Sequence, residues 1–457
     1  MSSVAGGIFF FPERKRSKKK VAGCLPSRKP RPAGRPSLGA KGFGGSVFLG
    51  FEGSGANGLK RKLMLGLSVA IIFLIAIIGG SLYVMKHDGT AAQTACAKTS
   101  QPAAKQEQAQ KSLTLDEQVE DIMSRMSQTE KIGQMVMVSL PGTEVDDEAR
   151  YALHQFHYGG IVLFDRNFES KEQVKNFVLD VQSGAGEKVP LFVAIDEEGG
   201  LVSRGKEVIP APPSEEMVGK EDKAFAMKLA AQVAGDLKDI GVNVNFAPVV
   251  DLGLGRERSY STHPYEVLKF AEAAGAGYKE KGLMYTLKHF PGIGKGTVDS
   301  HVEFSSIEAT EHELRKEDLV PFREIINGSD KGRNFDYLIM VGHFLYPAFD
   351  TENPASLSEK IITGLLRKDL GYEGLIITDD LGMGAIIKQY TFGEAAVKAV
   401  KAGSDLVLVC HDYGHAEEAY MGLLNAVKEG NISEKRLDES VRRILKAKLR
   451  HGMKPVQ

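Results

Sequence analysis

The chain has 457 residues, enough for more than one domain or for one large barrel with additional segments. Its apolar content of 42% and charged content of 26% are those of an ordinary globular protein. The net charge of −1 conceals an asymmetry: residues 1–62 carry 14 Lys/Arg against 2 Asp/Glu, and the remainder carries 44 against 57. A main body that is acidic argues against a nucleic-acid partner, because phosphate binding needs a basic face.

In chain order, residues 1–62 are rich in Gly, Pro, Ser, Lys and Arg and read as a basic disordered segment. Leu63–Met85 follows, 23 residues without a charge. At ~1.5 Å per residue such a run spans a hydrocarbon layer of ~30 Å, so a transmembrane helix is expected. Lys60, Arg61 and Lys62 abut its N-terminal side, which predicts that residues 1–62 face the cytoplasm and the rest lies outside. A cleaved signal peptide is the alternative, although the run is long for one and lacks a clear cleavage site. Met64 opens the apolar run and offers an alternative start that would remove the basic head; a wrong N-terminus is the reading under which the catalytic part would be cytoplasmic. Residues 86–112 are a polar, Ala/Gln/Lys-rich linker. Cys24, Cys96 and Cys410 lie far apart and suggest neither a zinc site nor a disulfide framework.

From Leu113 to residue 453 short apolar runs alternate with amphipathic segments. The runs are Met135–Leu140, Gly159–Phe164, Leu191–Ile195, Val242–Val250, Leu283–Leu287, Tyr337–Val341, Leu375–Thr378 and Asp405–Cys410. They are short, rich in β-branched residues and almost continuously apolar, as parallel strands buried on both faces are. Helix-like stretches such as AFAMKLAAQVAGDLKDIG separate them. Eight such alternations predict an α/β fold, a single (β/α)8 TIM barrel, over a doubly wound sheet. A last helix is expected from Ser433, as N-cap, to about Arg450.

Polar groups follow seven of the eight runs: Asp165-Arg166-Asn167, DEEGG from Asp196, Asp251, Lys288-His289, His343, Asp379-Asp380 and His411-Asp412. In a barrel these converge on the carboxyl-end face, where active sites form. Singly, each Asp reads as a helix N-cap and each His as a hydrogen-bonded structural residue. His289, His301 and His343 lack the spacing of a metal site, and PGIGKG lacks the Lys-Ser/Thr that ends a phosphate loop.

The stretch KHFPGIGKGTVDSH (Lys288–His301) resembles a signature of the glycoside hydrolase family 3 β-N-acetylhexosaminidases. So do AIDEEGGLVSR (Ala194–Arg204), NFAPVVDL (Asn245–Leu252), RSYS (Arg258–Ser261) and IITDDLGMGAI (Ile376–Ile386), in the family's order. The resemblance implies a retaining, exo-acting hydrolase of terminal β-linked N-acetylglucosamine that needs no metal or organic cofactor. Asp379 would be the nucleophile, with Asp380 as the alternative. His301 oriented by Asp299 would replace the usual second carboxylate as acid/base. Asp196, Arg204, Arg258, Lys288 and His289 would bind the sugar, although Arg204 also reads as a surface ion-pair residue. Glycines 292, 294 and 296 are expected to make the arm that carries the dyad mobile. The expected partners are an amino-sugar glycan or muropeptide and, through residues 63–85, a lipid bilayer. A family 3 β-glucosidase and a non-catalytic glycan-binding envelope protein are the rival readings.

Overall fold

The computed structural model describes residues 113–453, apart from 185–188, 256, 297–304, 329–335 and 411. The basic segment, the apolar run Leu63–Met85 and the linker lie outside the described residues, as do Cys24, Cys96, Asp299, His301 and His411. Among the described residues no helix is long and apolar enough to cross a membrane.

The strands are β1 (Val136–Ser139), β2 (Gly160–Leu163), β3 (Phe192–Ile195), β4 (Glu197–Gly199), β5 (Val202–Ser203), β6 (Val244–Asn245), β7 (Met284–Phe290), β8 (Tyr337–Val341), β9 (Leu375–Asp380) and β10 (Leu406–Val409). Eight of them close in the order β1-β10-β9-β8-β7-β6-β3-β2. Every neighbouring pair in that ring is parallel. Each expected run therefore supplies one barrel strand. The apolar runs are continuous because each strand is covered inside by barrel side chains and outside by helices: β1, β2, β3 and β10 are buried along their whole length. The fourth run is strand only at Val244–Asn245, and Pro248 further along has no N–H for the ladder. β7 and β9 run past their apolar stretches and carry Lys288, His289, Asp379 and Asp380 into the carboxyl end of the barrel.

The amphipathic stretches are helical, including Lys223–Asp239 and Pro264–Glu280. The last helix runs Glu434–Arg450, and Ser433 Oγ accepts the Arg436 N–H as its N-cap. That helix closes the amino end of the barrel around Asp405, which is wholly buried. Asp405 accepts Arg367 Nη2 at 2.5 Å, Arg443 Nη1 at 3.0 Å and Ser440 Oγ at 2.8 Å. Burial opposes its ionisation, but Arg367, Arg443 and Arg436 outweigh that and hold the carboxyl below the usual range.

The polar run DEEGG also makes a small antiparallel hairpin, β4–β5, that the alternation does not announce. Glu197 sits inside it, 1% exposed, accepting the Ser203 hydroxyl and the Gly205 N–H at 2.8 Å. Burial pushes this carboxyl up to about 7, against those two hydrogen bonds.

Two outcomes follow from these buried acids. Asp405→Asn leaves three guanidinium groups around a neutral amide and should cost roughly 3–5 kcal/mol, read as a lowered denaturation midpoint; an unchanged midpoint would show that the Arg367–Asp405 pair contributes nothing. At pH between about 4.5 and about 7, Glu197 is protonated when folded and ionised when unfolded. Stability from this group therefore falls as pH rises through that window. Glu197→Gln mimics the protonated acid and should shrink the loss of melting temperature between pH 5 and pH 8; a pH profile identical to wild type contradicts this.

Candidate active site

The carboxyl-end face brings most of the expected residues together. Lys288, 2% exposed, lies on β7, and its Nζ donates to Asp196 Oδ1 and Glu198 Oε1, each at 2.6 Å. Arg258 adds a two-pronged contact to Glu198, Nε to Oε2 at 2.7 Å and Nη2 to Oε1 at 2.8 Å. Burial opposes ionisation of Glu198, yet Lys288 and Arg258 prevail and hold its carboxyl at about 2. Burial likewise works against the Lys288 ammonium, and Asp196 and Glu198 still raise it. A charged lysine, a charged arginine and two carboxylates thus form one cluster beside the barrel mouth.

The pairing of β7 with β8 shifts register between Lys288 and Phe290. The irregularity takes His289 out of simple alternation with Lys288. His289 Nδ1 lies 2.7 Å from Asp251 Oδ2, and because a carboxylate only accepts, this nitrogen carries the proton. Asp251 is wholly buried and also accepts the backbone N–H of His289 and, at 2.8 Å, of Ile293. It does not cap a helix; it ties the start of the glycine-rich arm to the segment after β6.

Asp379 is half-buried on β9. Its Oδ1 accepts the Asp380 N–H at 2.8 Å. Burial disfavours the carboxylate, but His289, His343, this N–H and Lys288 hold its carboxyl below the usual range. Asp379 is therefore an ionised, partly accessible carboxylate at neutral pH, as a nucleophile must be. Asp380 Oδ1 instead accepts the N–H groups of Gly382 at 2.9 Å and Cys410 at 3.1 Å, so it supports the turn after β9. His343 is 1% exposed; its Nε2 donates to the Asp380 carbonyl at 2.9 Å and its Nδ1 accepts the Ser356 hydroxyl at 2.7 Å. Burial pushes the pKa of that ring down, against the pull of Asp379.

Arg204 stands apart at the rim. Its Nη1 pairs with Asp165 Oδ2 at 3.0 Å, both side chains partly exposed, while its backbone N–H donates to the Asp196 carbonyl. The ion-pair reading of this residue is thus realised in the structure, on the same face as Asp196.

The glycines of the arm need a different reason from the mobility expected of them. A Cβ on Gly294 would lie 1.8 Å from the Leu252 carbonyl oxygen, and one on Gly292 or Gly296 would meet Asp318 Cβ at 2.7 Å or the Phe344 ring at 2.5 Å. Gly292 also has φ +120°. Close approach excludes a side chain at each position. Tyr346 donates to the Gly292 carbonyl at 2.7 Å, and Lys295 pairs with Glu317 at 2.7 Å. Beyond residues 297–304 the chain rejoins the barrel where Leu345 N–H donates to the Ser305 carbonyl at 2.9 Å. Asp299 and His301 themselves lie outside the described residues.

Sequence reasoning passed over Glu198, whose role is invisible in a run of three acids, and treated Asp251 and His343 as local structure. The one signal available was position: each follows a strand. Among the described residues no group of three or more His, Cys, Asp or Glu is arranged to hold a metal ion. A cavity of about 700 Å³ also opens at the amino end of the strands, at Met284, Tyr337 and Leu375. Lys446 and Asp116 pair across its walls, Arg442 pairs with Glu120 outside them, and it has none of the carboxyl-end groups described above.

Comparison with known proteins agrees with this geometry. The β-hexosaminidase A of Pseudoalteromonas piscicida is 31% identical over 337 residues, covering 67% of this chain and 56% of that protein. The β-hexosaminidase of Idiomarina loihiensis is 34% identical over 287 residues, covering 61% and 84%. Among solved structures, a glycoside hydrolase family 3 β-N-acetylglucosaminidase from Paenibacillus sp. is 38% identical with a TM-score of 0.68, covering 72% of this chain and 63% of that one. The chain thus spans little more than half of the first relative and less than two thirds of the Paenibacillus enzyme. Residues 127–447 match the model of the glycosyl hydrolase family 3 N-terminal domain. The chain belongs to glycosyl hydrolase family 3.

Proposed function

We propose that the protein is a retaining exo-β-N-acetylglucosaminidase that removes terminal β-linked N-acetylglucosamine from cell-wall fragments or related amino-sugar glycans. The observation that carries this reading is Asp379: an ionised, half-buried carboxylate flanked by His289 and His343 at the carboxyl end of the barrel. The β-hexosaminidase and β-N-acetylglucosaminidase relatives support the sugar class.

In the reaction the Asp379 carboxylate attacks C1 of the sugar. A C1–O ester bond forms, the glycosidic C1–O bond breaks, and the imidazolium of His301 gives its proton to the departing oxygen. Asp299 orients that imidazole and raises its basicity. Water then attacks C1, His301 takes its proton, and the Asp379 carboxylate is released; two inversions retain the β-configuration. Lys288, Asp196, Arg258, His289 and Arg204 present donors and acceptors to the sugar's polar groups. Buried groups of this kind reject a sugar that leaves them unmatched. The catalytic domain works outside the cytoplasm, held to the membrane by Leu63–Met85.

The test uses the full-length protein and p-nitrophenyl β-N-acetylglucosaminide. Asp379→Ala and His301→Ala should each lower turnover by about 100-fold or more, within the range that removal of a nucleophile or general acid/base costs. Turnover confined to the β-glucoside would replace this reading with a β-glucosidase. Sugar binding without turnover on either substrate, unchanged by the substitutions, would make the protein a glycan binder.

A further inference from the structure

We propose that Glu198 is a positioning residue for this reaction, acting on the sugar pocket through Lys288 and Arg258 together. The inference rests on the glycosidase reading and goes beyond it, because Glu198 is not among the residues that reading places against the sugar.

Its side chain is 1% exposed and both its oxygens are committed. Oε1 accepts Lys288 Nζ at 2.6 Å and Arg258 Nη2 at 2.8 Å, while Oε2 accepts Arg258 Nε at 2.7 Å. A carboxylate so enclosed does not reach a sugar. It determines instead where two sugar-facing cations stand. Lys288 and Arg258 donate to the same oxygen atom, so two positive charges are held within hydrogen-bonding reach of one point. Without the negative charge between them they would repel in a poorly solvated environment.

The two are not equally tethered. Lys288 also has Asp196 at 2.6 Å, whereas the side-chain hydrogen bonds of Arg258 both go to Glu198. Arg258 lies in the loop after β6, and its side chain is 23% exposed. The two-pronged contact fixes the plane of its guanidinium and leaves the Nη1 hydrogens outside the fork. The other ionisable groups around Glu198 are Asp196 on its own segment, Glu215 from the helix Glu215–Val218, and the phenols of Tyr260 and Tyr278. Glu215 is 3% exposed and accepts the Val249 N–H at 2.7 Å. Asp196 and Asp251 act on Arg258 through their charge, but among the described residues the carboxylate hydrogen-bonded to its side chain is that of Glu198.

The experiment measures kcat and KM for p-nitrophenyl β-N-acetylglucosaminide with the full-length protein and its variants Glu198→Gln, Glu198→Asp, Arg258→Met and Glu198→Gln/Arg258→Met, with thermal unfolding beside them. Glu198→Gln should lower kcat/KM by about 100-fold. Glu198→Asp keeps the charge but shortens the reach, and should lie between the two. In the Arg258→Met background the Glu198→Gln change should cost no more than about fivefold further, because residues acting as one unit are not additive. A residue that merely supports the fold would multiply its loss in that background. Wild-type kcat/KM in Glu198→Gln, or full multiplication in the double variant, overturns the proposal. If Glu198→Gln does not fold, Glu198→Asp is read in its place, and wild-type kinetics in it overturn the proposal equally. A wild type inert on every glycoside overturns the glycosidase reading first. Calorimetric binding of N-acetylglucosamine then decides Glu198 separately: weaker binding in the variant sustains the positioning role, and equal binding ends it.

Discussion

A buried ammonium must be paired, and the pairing of Lys288 organises the barrel mouth. Its Nζ has carboxylates at 2.6 Å on two sides, both from the segment that follows β3. An uncompensated charge at this depth would cost several kcal/mol, which is why strand and hairpin have to meet in one geometry. Three acids in a row then do three different things. Asp196 faces Lys288, Glu197 turns into the hairpin toward Ser203 and Gly205, and Glu198 takes Arg258 as well as Lys288. Glu197 holds the hairpin in shape, and the hairpin presents its two neighbours to the cations. The pocket's electrostatics are thus built from a backbone turn as much as from its charges.

The second organising group is Asp251. A carboxylate wholly inside the protein needs donors, and it finds them in His289 and in the N–H groups of His289 and Ile293. The same contacts hold the His289 ring in place and seat the root of the glycine-rich arm. One residue therefore couples the fourth strand's exit to the fifth strand's chemistry. His343, just after β8, is held between the Ser356 hydroxyl and the Asp380 carbonyl, so the end of β9 next to the proposed nucleophile is tied to the exit of the neighbouring strand.

Much of this was legible in the sequence, for definite reasons. Parallel strands enclosed on both faces leave unbroken apolar runs, and all eight read correctly. Charged residues are not tolerated inside such a ring except at its ends, so Lys288, Asp379 and Asp196 marked the carboxyl-end face by position. What the pattern did not convey were relations across the chain. Glu198 looks like its neighbours until Arg258, sixty residues later, is placed against it. Asp251 reads as a helix cap because that is the commonest use of an Asp after a strand, and only the fold shows its donors. The hairpin β4–β5 is too short and too polar to carry a period. The arm's glycines suggested freedom, and the close surfaces they rest on are a second constraint that the sequence does not display. Arg204 was open between two roles, and its partner Asp165 comes from a different strand end.

Gly294 seated against the Leu252 carbonyl has a consequence for any attempt to recombine this protein with its relatives. The arm behaves as a key cut for one lock. Its root fits the backbone of residues 251–253, and that backbone is gripped in turn by the Gly253 N–H to the Ser261 carbonyl. A chimera whose crossover falls between residues 254 and 288 would join an arm from one parent to a seat from another. Inheritance of 251–294 as a single block is the natural unit of exchange, and the helix Pro264–Glu280 travels with it.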